Sequence, residues 1–267
     1  MQEFDSAEII KTIVLPKTIN ETSGLEFYNK NFITHNDSGD GPSLYVFNEN
    51  GDLIKTIDLN KGANFEIENN DWEDIASDDK YLYVADTGNN FGNRSNLNII
   101  RVNKEDDYKV DGIIEILYAD QETFFPRPKH KYDAEAILVI DEQLVLFSKD
   151  RESLNTDLYL VDKFEKAAQK LTSEFDFNVN SLITGGDYKN ELKLLALVSY
   201  NSQGNQYLIL FERFDLENLE ENTFKKYIIP LEKAQIESIK IIDKKTFWVT
   251  SEDEGVGNPI MYKLKVK

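Results

Sequence analysis

A pattern of two short strands joined by a tight polar turn recurs five times along the chain, and this repeat constrains the fold more than any other feature. The five units open at Ser23, Glu73, Glu135, Thr184 and Glu237, so they begin 49 to 62 residues apart. A repeat of about 50 residues with room for four strands is typical of β-propellers, in which each unit forms one blade. The sequence therefore predicts an all-β, five-bladed β-propeller, with residues 1–267 forming a single domain.

The strand count supports a closed ring. The first four units each offer two further strand candidates; in the first unit these are residues 43–47 and 53–57, joined by a connector with the Asn and Gly typical of hairpins. The fifth unit offers only residues 260–266. Because residues 8–15 resemble residues 53–59, we predict that this N-terminal strand completes the last blade and brings the total to twenty strands, with none left over.

The alternative is a six-bladed ring with an extra unit hidden in residues 57–71 or 118–133. Both stretches are too short and too polar to hold four strands. Helix is predicted only in two connectors, at residues 164–170 and 216–221.

The chain is strongly acidic, with 30 Lys plus Arg against 49 Asp plus Glu and a formal net charge of −19. Such a surface repels phosphodiester backbones, so we expect no nucleic-acid partner. It suits cations and cationic ligands, and it also favours simple solubility.

The absence of cysteine excludes disulfides and Cys-ligated zinc. No apolar run approaches the ~20 residues that span a bilayer, so no membrane span is expected.

One rim of the ring is predicted to carry the functional site. In a propeller blade the first strand starts, and the second strand ends, at the same rim of the channel. The loops at this rim are long and polar, at residues 36–41, 86–90, 149–152, 200–202 and 251–255. The turns at the opposite rim are short, so we expect that rim to be tight. Loops held by a rigid scaffold carry function, which makes the first rim the candidate site.

Carboxylates cluster where the first strands open. They are Glu73, Glu135 and Glu237, with Asp71 and Asp133 two residues earlier on the same strand face. Carboxylates that converge on one axis must share protons, pair with cations or bind a metal ion. Hard oxygen ligands favour Ca²⁺ or Mg²⁺, with Asn36 or Asn90 available to complete the shell. The alternative is that these acids bind backbone N–H groups and hold neighbouring blades in register.

Strand alternation leaves open which side chains reach the axis. Gly24, Ala136, Gly185 and Ser238 lie on the strand face opposite to the glutamates. If these small residues line the crowded axis, the glutamates point between blades and Asp74 alone faces the channel.

Four further residues on the rim are candidates for catalysis or binding. His35 is a candidate general base, because it titrates near neutrality and Asp37 lies close in sequence to orient it; the alternative is a rim histidine bonded to a loop. Lys149 and Arg151 could clamp an anionic ligand, or they form salt bridges with neighbouring acids. The chain has no Gly-x-Ser-x-Gly, His-Glu-x-x-His or phosphate-binding glycine loop, although paired axial carboxylates could support glycoside hydrolysis.

Five motifs in the first half carry a resemblance. They are Glu21-Thr-Ser-Gly-Leu25, His35-Asn-Asp-Ser-Gly-Asp40, Asp71-Trp-Glu-Asp-Ile-Ala76, Tyr83-Val-Ala-Asp-Thr-Gly-Asn-Asn90 and Asp133-Ala-Glu-Ala136. Together they resemble a group of uncharacterised bacterial propeller proteins that are often exported. The resemblance implies a periplasmic, cell-surface or extracellular protein, with the cytoplasm as the alternative, and it marks Asp86 and Asn90 as ligand-binding candidates. More distantly, the acids that open the inner strands resemble the calcium-centred gluconolactonase and paraoxonase propellers, which have six blades.

These features predict a propeller that binds a cation or a small ligand on its acidic rim, with no assigned activity. One alternative is a metal-dependent hydrolase of a lactone, ester or phosphoester. Another is a scaffold that docks a partner protein through the connector at residues 119–132, which carries Phe124, Phe125 and Pro126.

Overall fold

Five β-sheets surround a central channel in the computed structural model, which describes residues 4–61, 63–231, 234–252 and 257–267. The innermost strand of each sheet is the first strand of one sequence repeat, and these inner strands contact one another in a closed ring. The chain is therefore a five-bladed β-propeller, as predicted.

The first part of the chain forms two strands and then the first two blades. Two strands precede the first repeat, β1 (Asp5–Ser6) and β2 (Glu8–Val14). The first blade contains, from the channel outward, β3 (Thr22–Tyr28), β4 (Asn31–Asn36), β5 (Ser43–Phe47) and β6 (Leu53–Asp58). The second blade contains β7 (Asp74–Ser77), β8 (Tyr81–Asp86), β9 (Asn98–Asn103) and β10 (Lys109–Tyr118).

The remaining three blades follow in chain order. The third contains β11 (Ala134–Ile140), β12 (Gln143–Ser148) and β13 (Thr156–Asp162), and after the short β14 (Gln169–Leu171) it ends with β15 (Phe175–Phe177). The fourth contains β16 (Leu182–Lys189), β17 (Leu194–Tyr200), β18 (Gln206–Glu212) and β19 (Lys225–Ile229). The fifth contains β20 (Ile236–Asp243), β21 (Thr246–Ser251) and β22 (Ile260–Lys265).

The N-terminal strand closes the ring, which confirms the prediction. β2 pairs antiparallel with β22 as the outer strand of the fifth blade, and Ile13 lies opposite Met261. The expected count of twenty strands was wrong, because the described residues hold two more. β1 pairs parallel with β19, and β14 pairs parallel with β10. Both are too short to be recognised in sequence, and each extends the outer edge of a blade.

The core is divided into five hydrophobic clusters, each lying between two adjacent blades. Trp72 is buried in the cluster between the first and second blades, and Trp248 in the cluster between the fifth and first. Because every blade buries both faces against its neighbours, the ring is held by apolar packing on all sides of the channel.

The turns from first to second strands are short, and left-handed backbone at Asn29 (φ 51°) and Lys30 (φ 65°) closes the first of them. The two predicted helices were wrong, since residues 169–171 form β14 and only the 3₁₀ turn Leu219–Glu221 lies in the other connector. Two further 3₁₀ turns are Lys17–Ile19 and Asn190–Leu192.

No strand in the described residues lies between β6 and β7 or between β10 and β11, so the six-bladed alternative was wrong. Within the same residues, no helix is long and apolar enough to cross a membrane.

Candidate functional site

Five carboxylates from three consecutive blades meet at the rim where first strands start and second strands end. They are Asp37 after β4, Asp71 and Glu73 before β7, and Asp133 and Glu135 at the start of β11. Carboxylate oxygens of Asp37, Asp71 and Glu73 lie within 4.8 Å of one another, and so do those of Glu73, Asp133 and Glu135. We call these five residues the acidic cluster. Glu73 belongs to both triads and therefore lies at the centre of the acidic cluster.

Hydrogen bonds to backbone carbonyls, both between blades and within the second blade, set this geometry. The Trp72 N–H donates to the Asp37 carbonyl at 3.0 Å, which ties the first blade to the second. Within the second blade, the Gly88 N–H donates to the Asp71 carbonyl at 3.1 Å. The Thr87 hydroxyl donates to the Ala134 carbonyl at 2.7 Å and joins the second blade to the third. Hydrogen bonds to the first and third blades therefore hold the backbone of the second blade that carries Asp71 and Glu73.

Gly88 leaves the space that two of the carboxylates occupy. A Cβ atom at this position would overlap Glu73 Oε1 and would lie 2.5 Å from Asp71 Oδ2. Any other residue would therefore displace both side chains. Sequence reasoning placed Gly88 in a rim loop but gave it no role.

Two carboxylates of the acidic cluster are already paired with cations. The Lys149 ammonium lies 2.9 Å from Glu135 Oε1, and the Arg151 guanidinium forms a close ion pair with Asp133. Arg151 also donates to Asn90 Oδ1 at 2.6 Å. In this structure Lys149 and Arg151 therefore make the salt bridges that the sequence left as the alternative to an anion clamp.

The other three carboxylates lack such compensation. Neither Asp37, Asp71 nor Glu73 forms an ion pair with any basic residue that the structure describes. Glu73 is only 4% exposed, and its carboxylate accepts no hydrogen bond from the described part of the chain. Asp37 Oδ1 is likewise buried without a partner among those residues. Buried carboxylates in this state are costly unless they are protonated or bind a cation.

Burial and mutual repulsion shift the pKa values of the cluster upward. Burial, the Asp71 charge and the Glu135 charge raise the pKa of Asp37 to about 9. Burial and the Glu135 charge raise the pKa of Glu73 well above its usual range. Burial also raises the pKa of Glu135 to about 7, although the Lys149 ammonium acts in the opposite direction. The cluster therefore retains protons near neutral pH when nothing else compensates its charge.

Glu237 belongs to neither triad, but its charge acts on Lys149. It is buried, accepts a close hydrogen bond from Gln235 and has its pKa raised by burial. The carboxylates of Glu135 and Glu237 raise the pKa of Lys149, against the effect of its own burial. Lys149 also lies 5.4 Å from the ring centroid of Tyr200. Glu237 thus joins a buried carboxylate–lysine–carboxylate arrangement.

Two of the predicted ligand-binding residues hold the loops of the rim. Asp86 is buried and accepts hydrogen bonds from the Asp71 N–H at 3.1 Å and from Arg94 at 2.8 Å. The Asn36 side chain donates to the Thr18 carbonyl at 3.0 Å and to Asp40 Oδ2 at 2.8 Å. Both side chains are engaged within the protein. Arg94, which sequence reasoning missed, binds the carboxylate that positions Asp71.

His35 lies in the protein interior. Its side chain is fully buried, its ring packs edge-on to Trp72 at 5.5 Å, and its Nδ1 lies 3.1 Å from the Asn36 carbonyl. Burial lowers its pKa to about 4. Asp37 belongs to the acidic cluster and is not the partner of this ring. The role of His35 as a base stays a prediction that its enclosed position does not favour.

Asp74 faces the channel, as the strand alternation allowed. It accepts backbone hydrogen bonds from Ile137 of the third blade at 3.0 Å and from Gly186 of the fourth blade at 3.2 Å. Asp74 is not the only charged residue in the channel. At the opposite end of the channel, the Lys240 ammonium lies 2.6 Å from Glu26 Oε1 and 2.8 Å from Asp187 Oδ1. Each residue of this ion-pair group lies two positions after a small residue of an inner strand: Lys240 after Ser238, Glu26 after Gly24 and Asp187 after Gly185. Strand alternation therefore places each of them on the same strand face as that small residue, and this pattern could have identified them from the sequence.

The opposite rim is also less tight than predicted. Its turns are short, but they surround an open cavity of about 1070 Å³ to which all five blades contribute. On the favoured rim, the predicted loop at 251–255 lies partly outside the described residues, which omit 253–256.

Five inter-blade cores and an acidic channel mouth define this chain as a five-bladed β-propeller with a carboxylate-rich rim. No family model matches the chain, and no curated protein does. Among solved structures it is similar to 1,3Gal43A, an exo-β-1,3-galactanase from Clostridium thermocellum, with a TM-score of 0.60 and 12% identity over 96% of this chain and 63% of the other. It is also similar to a hypothetical protein from Leishmania major, with a TM-score of 0.52 and 10% identity over 97% and 91% of the two chains.

A chain of the mitotic checkpoint complex gives a TM-score of 0.50 and 10% identity over 100% and 98% of the two chains. At such identities these likenesses support the fold alone. The resemblance to gluconolactonases and paraoxonases stays a prediction.

Proposed function

We propose that this propeller binds one divalent cation, of the calcium or magnesium kind, between Asp37, Asp71 and Glu73. The observation that carries the proposal is Glu73, a buried carboxylate without a partner among the described residues, with two further carboxylates in reach. Three carboxylates supply only oxygen ligands, which Ca²⁺ and Mg²⁺ prefer. A cation there would replace the protons that the raised pKa values otherwise retain.

The choice of this triad follows from the ion pairs around it. Arg151 and Lys149 already compensate the charges of Asp133 and Glu135. A metal cation at these two carboxylates would have to compete with that guanidinium and that ammonium. We therefore assign Asp133 and Glu135 to the support of the site and not to its ligands. If the protein is exported, as its motifs imply, a dissociation constant of about 10⁻⁴ to 10⁻³ M would suit extracellular calcium.

Calorimetric titration of chelator-treated protein with CaCl₂ and MgCl₂ tests the proposal. We expect one site and a rise in melting temperature, since a ligand at 100 times its dissociation constant stabilises a fold by about 2.7 kcal/mol. Glu73→Gln replaces a buried carboxyl group that is costly to ionise with a neutral amide, so the metal-free variant should melt at or above the wild-type temperature while losing the response to calcium. Asp79→Asn, at an exposed acid of the opposite rim, is the matched control and should keep that response.

Absence of heat and of any thermal shift at 10 mM cation would rule the site out. A calcium response that survives in Glu73→Gln would place the cation elsewhere. Both results can be read whether or not the variant changes the stability of the metal-free protein.

A hydrolase at the same rim is the second candidate. The observation that favours it is the proximity of Asp37 and Asp71. Burial and the Asp71 charge raise the pKa of Asp37 to about 9, and an acid and a base in one site can divide the work of hydrolysis. The excess of carboxylates disfavours a phosphoester and favours an uncharged lactone, ester or glycoside. A panel of such substrates, including aryl galactosides, should show turnover that Asp37→Asn abolishes; equal turnover in the variant would reject the idea.

A further inference from the structure

The connector between β10 and β11, residues 119–132, displays large apolar side chains to solvent. Phe124 is 41% exposed and Phe125 is 80% exposed. Phe91, on the loop that follows β8, is 60% exposed and adjoins the connector, because its carbonyl accepts a hydrogen bond from the Arg127 N–H at 2.8 Å. The three exposed phenylalanines thus lie on two adjoining segments, and exposed apolar side chains on adjoining segments are of the kind that bind a partner.

The backbone beneath this surface is fixed. The Gln121 side chain donates to the Gly92 carbonyl at 2.8 Å. His130 Nε2 donates to the Asn90 carbonyl at 3.2 Å, and His130 Nδ1 accepts from the Tyr132 N–H at 3.1 Å. The connector is therefore tied to the neighbouring loop at several points, and its phenylalanines are held outward by the fold. A surface that is already ordered loses little entropy on binding.

The same segment carries positive charge that no carboxylate of the described residues neutralises. The Arg127 guanidinium lies over the ring of Tyr132 at 5.2 Å, and neither Arg127 nor Lys129 forms an ion pair with a carboxylate of the described residues. Lys131, in contrast, is paired with Asp120 at 2.9 Å. Two uncompensated cations beside exposed aromatic rings stand out on a chain with a net charge of −19.

We propose that this surface, formed by Phe91, Phe124, Phe125, Arg127 and Lys129, docks a short segment of a partner protein that carries apolar side chains next to Asp or Glu. The apolar side chains cover the phenylalanines, and the acidic side chains pair with Arg127 and Lys129.

The size of the partner follows from the position of the acidic cluster. The connector leads directly into Asp133, and Arg151 joins Asn90 of the adjacent loop to that residue. A flat anionic bilayer resting on the connector would also cover the acidic cluster and be repelled by it. A narrow protein segment contacts the connector and leaves the channel mouth free. This docking function is separate from the cation site and does not depend on it.

Selection of a displayed library of random 12-residue peptides on the full-length protein tests the proposal. The selection is run in chelator, so failure of the cation site does not affect the result. We expect enriched peptides that combine aromatic or aliphatic residues with Asp or Glu. The synthesised peptides should bind the variant Phe124→Ser/Phe125→Ser at least about tenfold more weakly, because central aromatic residues dominate such interfaces.

Two more variants separate the contributions. Arg127→Gln/Lys129→Gln should weaken binding at low salt, and the difference from wild type should shrink at high salt because screening removes the electrostatic part. Phe164→Ser, which replaces a 54% exposed phenylalanine at the opposite rim, should bind the peptides like wild type. All variants alter exposed or half-buried side chains, and unchanged melting temperatures would verify their folding.

The proposal is overturned if no peptide is enriched, or if the enriched peptides bind the Phe124→Ser/Phe125→Ser variant as well as wild type. Vesicles of phosphatidylcholine with phosphatidylglycerol serve as a second probe. Sedimentation with these vesicles that the same variant abolishes would assign the surface to a membrane and would also overturn the proposal.

Discussion

The packing of the acidic cluster depends on the absence of a side chain at Gly88. Because its missing Cβ leaves room for the carboxylates of Asp71 and Glu73, we expect Gly88→Ala to displace both and to abolish calcium binding. The overlap with buried groups should also destabilise the fold by about 1–3 kcal/mol. Calorimetric titration and urea unfolding measure the two effects.

Gly41→Ala is the control for this substitution. A Cβ at Gly41 would meet no atom closer than 4.0 Å, so neither property should change. Calcium binding by Gly88→Ala with wild-type affinity would show that the two carboxylates do not hold the cation.

Asp74 connects three blades through one carboxylate. It accepts N–H groups from Ile75 at 2.8 Å, from Ile137 at 3.0 Å and from Gly186 at 3.2 Å. Asp74→Ala would leave these buried donors unsatisfied, and we expect it to lower the free energy of unfolding by about 3 kcal/mol. Asp74→Asn keeps one carbonyl acceptor and should cost clearly less.

Equilibrium unfolding in urea measures both Asp74 variants. Equal losses of stability for the alanine and the asparagine variants would mean that the carboxylate acts through its charge and not as an acceptor.

At the scale of elements, β2 shows how one strand closes the ring. Ile13 is 7% exposed and packs in the core between the fifth and first blades, whereas the adjacent Val14 is 58% exposed. Strand alternation places their side chains on opposite faces. Ile13→Asp would bury an unpaired charge, and we expect it to lower the free energy of unfolding by about 3 kcal/mol or more.

Val14→Asp is the matched change on the solvent face and should stay within about 0.5 kcal/mol of wild type. Urea unfolding monitored by intrinsic tryptophan fluorescence compares the two variants, since Trp248 lies in the same core cluster as Ile13. If the two variants lost equal stability, β2 would not be packed as the outer strand of the fifth blade.

For the whole molecule, the acidic cluster makes stability depend on pH. A carboxyl whose pKa is higher in the folded than in the unfolded protein stabilises the fold at low pH, and this contribution is lost as the pH rises through the folded value. Asp37 shifts from 3.8 to about 9 and Glu135 from 4.5 to about 7. We therefore expect the melting temperature in chelator to fall between about pH 5 and pH 9.

Saturating calcium should flatten this decline, because the cation compensates the carboxylates that lose their protons. Asp37→Asn, which cannot ionise, should show a smaller decline in chelator than wild type. A wild-type melting temperature that rises from pH 5 to pH 9 in chelator would contradict the assigned direction of these shifts.

The ring can be predicted from patterns along the chain. The spacing of the repeats, the alternation within strands and the likeness of residues 8–15 to residues 53–59 are local patterns, and they predicted five blades, the closing strand and the rim where Asp71, Glu73, Asp133 and Glu135 meet. Alternation also gave Asp74 as the side chain that faces the channel if the small residues of the inner strands line the axis, because side-chain direction in a strand follows from residue parity.

The pairing of the charges, in contrast, depends on how the blades meet in the folded ring. Closure of the ring brings Lys149 to Glu135 and Arg151 to Asp133 and leaves Glu73 without an ion-pair partner among the residues that the structure describes. It also brings Asp37 into the cluster and encloses His35. These outcomes depend on distances of a few ångströms between side chains from different blades. The strength of a buried charge interaction changes steeply over such distances, and no spacing along the chain encodes them.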